Sequence, residues 1–339
     1  MDRRRPERVT LSVVLETYQQ HRTPRKSEHE QRADRRRSGM WARVLGGDVD
    51  PHAVSLAAWE GFLDARSSGA IDARGIRVPI ERRRAVSRRT VEADCAWLRW
   101  VFNWATNWRT AEGRFLMYEN SVRGYEAPKE LNPRRPVATQ DRYEAVRAVS
   151  DRVAMETRWG RRVRRRSYLS EVLDIVNGTG RRLSAVCRLT HGDLRLDDGP
   201  HGAIRWPAST DKMGRASTVL VAPPVRAALE RILRERPGKG EAPLFPSPGD
   251  PRRPMTRHLA DKWLRKAERL AGLAPQNGSL WHAYRRKWAT ERKHHPDVDV
   301  AAAGGWKSVQ SLKTAYQQAD PETMLRVVLN PNELRDDRR

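Results

Sequence analysis

Three prolines, Pro128, Pro133 and Pro136, interrupt this 339-residue chain where the stretches on either side read as helix. Each locks its own φ, lacks an amide donor and disfavours helix at the residue before it. Arg134 and Arg135 lie among them, so Ala127–Asp141 reads as an extended basic linker. A length of 339 residues also exceeds what one hydrophobic core commonly serves. The expected organisation is a helical domain over 1–127, a linker over 128–141 and a second domain over 142–339. No internal repeat runs through either part.

Apolar spacing defines the elements. Leu11, Val14, Leu15 and Tyr18 predict a first helix, and Leu56, Trp59, Phe62 and Leu63 another. Ser87 is a plausible N-cap for a strong helix with Val91, Cys95, Leu98, Phe102 and Ala105 on one face. Segments Arg22–Arg37 and Ser67–Arg84 are polar and read as mobile. Beyond the linker, Leu169, Val172, Leu173 and Val176 predict a helix closed by the turn Asn177–Arg181, and a second helix starts near Leu183. Ala203–Thr210 and Ala216–Ala222 read as two short strands joined around Lys212–Gly214. Val225, Ala228, Leu229, Ile232 and Leu233 give a further helix. The expected class is mainly α with a small β-sheet (α+β), in two domains.

Sixty-six Lys and Arg against 42 Asp and Glu give a formal net charge of +24. Such a balance ill suits an enzyme of small metabolites, because it attracts polyanions indiscriminately. Nucleic acid is the natural partner, since each phosphate neutralised releases condensed counterions. The basic runs Arg35–Arg37, Arg82–Arg84 and Arg161–Arg166 cluster instead of alternating with acids. A helix over Thr256–Ala271 has an apolar stripe of Leu259, Ala260, Trp263, Ala267 and Leu270. Opposite it His258, Lys262, Arg265, Lys266 and Arg269 form a basic stripe suited to DNA phosphates, and linker residues Arg134 and Arg135 join them as DNA-binding candidates. Cys95 and Cys187 occupy apolar positions and read as small core residues in a reducing cytoplasm. No signal-peptide stretch or long apolar run predicts a membrane segment. The expected location is cytoplasmic, beside the nucleoid.

Several short motifs recur in a set order. Thr179-Gly180-Arg181-Arg182-Leu183-Ser184 lies between two predicted helices. A dinucleotide-loop reading of Gly178-x-Gly180 fails, because Leu183 occupies the third glycine position and no strand precedes it. Trp281-His282-Ala283-Tyr284-Arg285 places His282 and Arg285 three apart, on one helix face. Gly304-Gly305-Trp306 precedes Tyr316, whose neighbours Thr314, Ala315, Gln317 and Gln318 are small or polar. Lys212 sits in the turn between the two strands. Together these motifs resemble the tyrosine recombinase (phage integrase) family over essentially the whole chain, most specifically from about Val137 onward.

The resemblance implies a core DNA-binding domain and a catalytic domain clamped around a duplex. It implies Arg182, Lys212, His282, Arg285 and Trp306 as the catalytic set, with Tyr316 as the nucleophile that forms a 3′-phosphotyrosyl intermediate. The chemistry gives each a reason. Permanently charged, planar guanidiniums suit the oxygens of a phosphodiester under attack. A free tyrosine ionises near pH ~10, so His282 is placed to accept or share the proton. Lys212, or Arg215 in the same turn as its substitute, is placed to protonate the departing 5′-oxygen, and Trp306 to orient a phosphate oxygen or pack. The bond energy stays in the tyrosyl ester, so neither a nucleotide cofactor nor a metal is required. His294–His295 lack ligand partners at metal-site spacing.

Two departures stand out. The family's acidic residue three beyond the first arginine is Ala185 here, and the stretch from Trp306 to Tyr316 is one residue longer than usual. Pro321, Met324, Leu325 and Val328 predict a terminal helix, which the resemblance assigns to exchange between subunits of a homotetramer on DNA. Two other readings keep the fold: an inactive DNA-binding or architectural protein, and a monomer of the type IB topoisomerase kind.

Overall fold

The computed structural model describes residues 9–130, 135–156, 162–210, 214–276, 280–319 and 321–329. Arg134 and Lys212 therefore lie outside the described residues. The chain forms two compact units, Met1–Pro133 and Arg134–Arg339.

The first unit is helical: α1 (Leu11–His21), α2 (Glu28–Leu45), α3 (Leu56–Ser67) and α4 (Arg88–Ala105). Thr10, Ser27, Ser55 and Ser87 cap the four N-termini, each accepting from a backbone N–H three residues on. Tyr18, Trp41, Trp59, Phe62, Leu98 and Phe102 fill the core. α2 corrects the expectation of a mobile 22–37 segment. Its polarity misled because the polar groups pair inward. Asp34 receives the Lys26 ammonium at 2.7 Å and the Trp97 indole N–H at 2.8 Å, all within this unit. Residues 67–84 are also tied down: Arg74 and Ile76 amides donate to the Asp72 carboxylate, and an Ile71–Arg77 bridge closes the loop.

The second unit begins with α5 (Gln140–Val149) and the hairpin of β1 (Ala154–Glu156) and β2 (Arg162–Arg166), followed by α6 (Leu169–Thr179) and α7 (Leu183–Val186). An antiparallel sheet in the order β3-β4-β5 joins Leu194–Arg195, Ala203–Trp206 and Ser217–Leu220. Then come α8 (Pro223–Glu235), the hairpin of β6 (Pro246–Ser247) and β7 (Asp250–Pro254), and α9 (Arg257–Leu270). The chain closes with α10 (Leu280–Glu291), α11 (Asp297–Gly304), α12 (Val309–Ala315) and α13 (Pro321–Val328). This is the mainly helical α+β class expected.

The expected two strands are present but shorter, because Pro207 stops β4 and the chain turns there, with the Thr210 amide donating to the Pro207 carbonyl. α6 is the centre of the unit, buried from Leu169 through Val176. Its two acids are neutralised. Glu171 pairs with Arg166 and Arg231, each at 2.7 Å, and Asp174 with Arg147 at 2.8 Å. In α9 the buried stripe is Ala260, Trp263, Leu264 and Ala267, while Leu270 faces solvent. Cys95 and Cys187 are buried and free, each thiol pushed up to about 12 by burial. Among the described residues no helix is long and apolar enough to cross a membrane.

Candidate active site

Two glycine-terminated helices and one helix between them in space build the site. α6 ends at Gly180, whose φ of 63° is left-handed. A Cβ there would lie 2.4 Å from the Trp288 ring, so no side chain fits. That turn places Arg182 at the N-cap of α7, in extended backbone. α11 ends the same way at Gly305, φ 69°. A Cβ on Gly304 would fall 1.8 Å from the Trp306 ring. Between these turns α10 presents His282 and Arg285 on one face.

The arginines converge on backbone carbonyls. Arg285 is 1% exposed and donates from Nη1 to the carbonyls of Gly180 and Gly304, the latter at 2.7 Å. Its Nη2 reaches the Gly305 carbonyl at 3.4 Å, and Arg182 Nη1 reaches that same oxygen at 3.3 Å. Two guanidiniums thus meet over one peptide group. Arg181, the neighbour of Arg182, turns the other way and donates to Ala303 and Ala302 at 2.9 and 3.1 Å. Three arginines therefore occupy the carbonyls at the C-terminal end of α11, the negative pole of its dipole.

Trp306 stacks on Trp288 with centroids 5.8 Å apart, and the Arg285 guanidinium carbon lies 3.6 Å from the Trp306 ring centroid. Its indole nitrogen has no partner among the described residues. Tyr316 leaves the last turn of α12, with φ −126° and ψ −43°. The tyrosine ring stands edge-on to Trp306 at 5.0 Å, 5.1 Å from the Arg285 guanidinium carbon and 6.1 Å from the His282 ring. The chain around it is held by Arg286, which donates to the carbonyls of Ala315 (3.3 Å) and Pro136 (3.1 Å), and by Arg135, which donates to Thr314. Arg135 thus helps to hold the tyrosine segment.

A cavity of about 110 Å³ opens beside these groups, lined by Arg181, Arg182, Leu183, Ser184, Arg257, Trp281, His282 and Arg285. Four guanidiniums and no carboxylate line it. Burial, and then the charge of Arg182, press the Arg285 pKa downward, opposed by Tyr316. Burial likewise brings His282 down to about 4, helped by the charges of Arg285, Arg286, Arg257 and Arg182. At neutral pH the imidazole is uncharged, with a lone pair free to take a proton. An anion entering the cavity would offset the mutual repulsion of these cations.

Five of the six residues expected for catalysis, Arg182, His282, Arg285, Trp306 and Tyr316, come together, and Lys212 lies outside the described residues. On α9, His258, Lys262, Arg265 and Arg269 are exposed and Lys266 is half-buried. Sequence reasoning missed Arg257, Ser184 and Trp281 on the cavity wall. The cap at Thr256 was the available signal for Arg257, since it fixes the first helical residue; Ser184 and Trp281 stand within the two motifs quoted from the sequence, which gave them no role.

The fold is one shared with solved DNA-bound recombinases. A lambda integrase dimer bound to a COC′ core site matches with a TM-score of 0.66 at 16% identity, covering 92% of this chain and 79% of that one. The Tn1549 transposon integrase in complex with a circular intermediate DNA matches at 0.66 and 15%, covering 94% and 100%. XerH site-specific recombinase bound to palindromic difH matches at 0.60 and 18%, covering 84% and 73%. The model of the phage integrase family fits residues 144–323, just over half of the chain, which therefore belongs to that family of tyrosine recombinases. No curated protein matches the sequence.

Proposed function

We propose that the chain is a site-specific recombinase that cuts and rejoins duplex DNA through Tyr316. The observation carrying this reading is the meeting of Arg182 and Arg285 over the Gly305 carbonyl, with the Tyr316 ring 5.1 Å from one guanidinium. A phosphodiester in the cavity places its non-bridging oxygens against these cations. The Tyr316 oxygen attacks phosphorus and the phosphorus–O5′ bond breaks, leaving a 3′-phosphotyrosyl ester. Neutral His282 takes the phenolic proton, and the leaving 5′-oxygen gains one, the role the resemblance gives to Lys212. Rejoining runs the same steps backward, with a 5′-hydroxyl from a partner strand as attacker. Backbone carbonyls and the α11 dipole do part of the orienting work that an acid at position 185 would do.

The basic face of α9 supports duplex binding, because its exposed cations sit at one-turn intervals. On α13 Met324, Leu325, Val327 and Val328 are all more than half exposed. This uncovered apolar run supports docking on a neighbouring copy within a homotetramer assembled on DNA.

A nicked duplex carrying the recombination site tests the proposal. Wild type forms a covalent protein–DNA adduct on a denaturing gel, and Tyr316→Phe does not. Site-specific binding by wild type without any adduct favours the second reading, a DNA-binding protein without strand cleavage, for which Ala185 is the supporting residue.

A further inference from the structure

Of the two cavity guanidiniums outside the set derived above, Arg181 is turned onto the α11 carbonyls and Arg257 is not. Arg257 is the first residue of α9 and lines the same wall as Arg182, His282 and Arg285. It differs from them in how its donors are used. Arg285 spends both Nη groups on three carbonyls, and Arg182 spends Nη1 on one. Arg257 makes no hydrogen bond among the described residues. Among the described residues its one ion-pair partner is Asp261, one turn along α9, at 3.8 Å and outside hydrogen-bond reach. Its side chain is 62% exposed and that of Asp261 24%. A guanidinium with its fork uncommitted, held over a cavity without a lining carboxylate, suits bidentate contact with an oxyanion.

We infer that Arg257 is a further catalytic residue, which closes on a non-bridging oxygen of the scissile phosphate as negative charge builds in the transition state, with Asp261 as the positioning residue that keeps it at the cavity rim. This rests on the proposed strand-cleavage reading. It also gives α9 two tasks: its exposed stripe follows the duplex, and its first residue enters the chemistry.

The test measures adduct formation by the full chain on the nicked duplex, at protein concentrations that saturate the DNA. Arg257→Ala is expected to slow the saturated rate roughly 10- to 100-fold, the loss of one charge-assisted contact, while affinity changes by less than about threefold. Arg257→Lys is expected to recover part of the rate, because an ammonium restores charge without the fork. Asp261→Asn should slow the reaction less than Arg257→Ala does. The inference is overturned if Arg257→Ala reacts at the wild-type rate once saturated. A loss seen only as weaker binding also overturns it, since Arg257 would then grip the duplex without aiding the chemistry. Equal defects in the Ala and Lys variants would overturn it as well, pointing to a packing role. Failure of wild type itself to form an adduct removes the underlying reading, and is seen before any variant is made.

Discussion

Arg66 in the first unit and Arg285 in the second are buried to nearly the same degree, 5% and 1% exposed, yet their surroundings differ in kind. Arg66 donates to Asp94 at 3.1 Å, and Arg37 reaches the other oxygen of that carboxylate at 3.0 Å. The Glu171 and Asp174 pairs of α6 follow the same rule within the second unit. Among the described residues Arg285 meets carbonyls and the rings of Trp306 and Tyr316, and no carboxylate. Arg66 is neutralised where it is buried, and Arg285 is left with charge to offer. Burying such a charge without a counter-anion is costly, and it persists where a bound anion supplies what is missing.

The largest effect that sharpens this contrast is at the tyrosine. Tyr316→Phe should drive adduct formation below detection while leaving DNA affinity in gel-shift titrations unchanged. Next come the two arginines. Arg285→Met should lower the saturated cleavage rate by about 10² to 10³-fold, and should shift urea resistance by less than about 1 kcal/mol. Arg66→Met should leave chemistry alone but cost about 3 kcal/mol, because Asp94 loses half of its pairing. Urea midpoints of the two full-length variants decide it; equal destabilisation would break the comparison.

The pH profile is a smaller test. His282 sits near 4 in the free protein against 6.5 in an open chain. The acid limb of kcat/KM should therefore fall near pH 4 and not near 6.5. The linked stability has the same sign: a histidine with a lowered pKa leaves the folded state more stable above about 6.5, and that contribution is lost as pH falls toward 4. His282→Gln should abolish this part of the pH dependence of unfolding. The smallest effect belongs to single residues of the α9 stripe. Arg265→Ala should weaken all sequences alike and reduce the salt slope of binding by about 1.

Much of the fold was legible because it is local. The helix faces of α1 and α4, the cap at Ser87, the stop at Gly180 and the basic stripe of α9 follow from spacing and residue type. α2 was misread because its polar residues face inward, where Asp34 pairs with Lys26 and Trp97, and a polarity pattern does not say which way a polar group points. The strands β3 and β6 are two residues each and carry no readable period. Arg257 escaped notice because a basic residue at the start of a basic helix carries no mark of the cavity it faces.

The sequence by itself determined the chemistry available: which arginines, histidine and tyrosine exist, in which local frames, and with how much positive charge around them. Only the tertiary structure decided their allegiance. It sent Arg181 to α11 and Arg182 to the Gly305 carbonyl that Arg285 also reaches, and brought Tyr316 beside Arg285 within the same unit. The reason is physical. Conformation over a few residues follows from local sterics and hydrogen bonding, whereas burial, dielectric surroundings and the partner of each donor depend on segments distant in the sequence, as with Arg182 and Gly305.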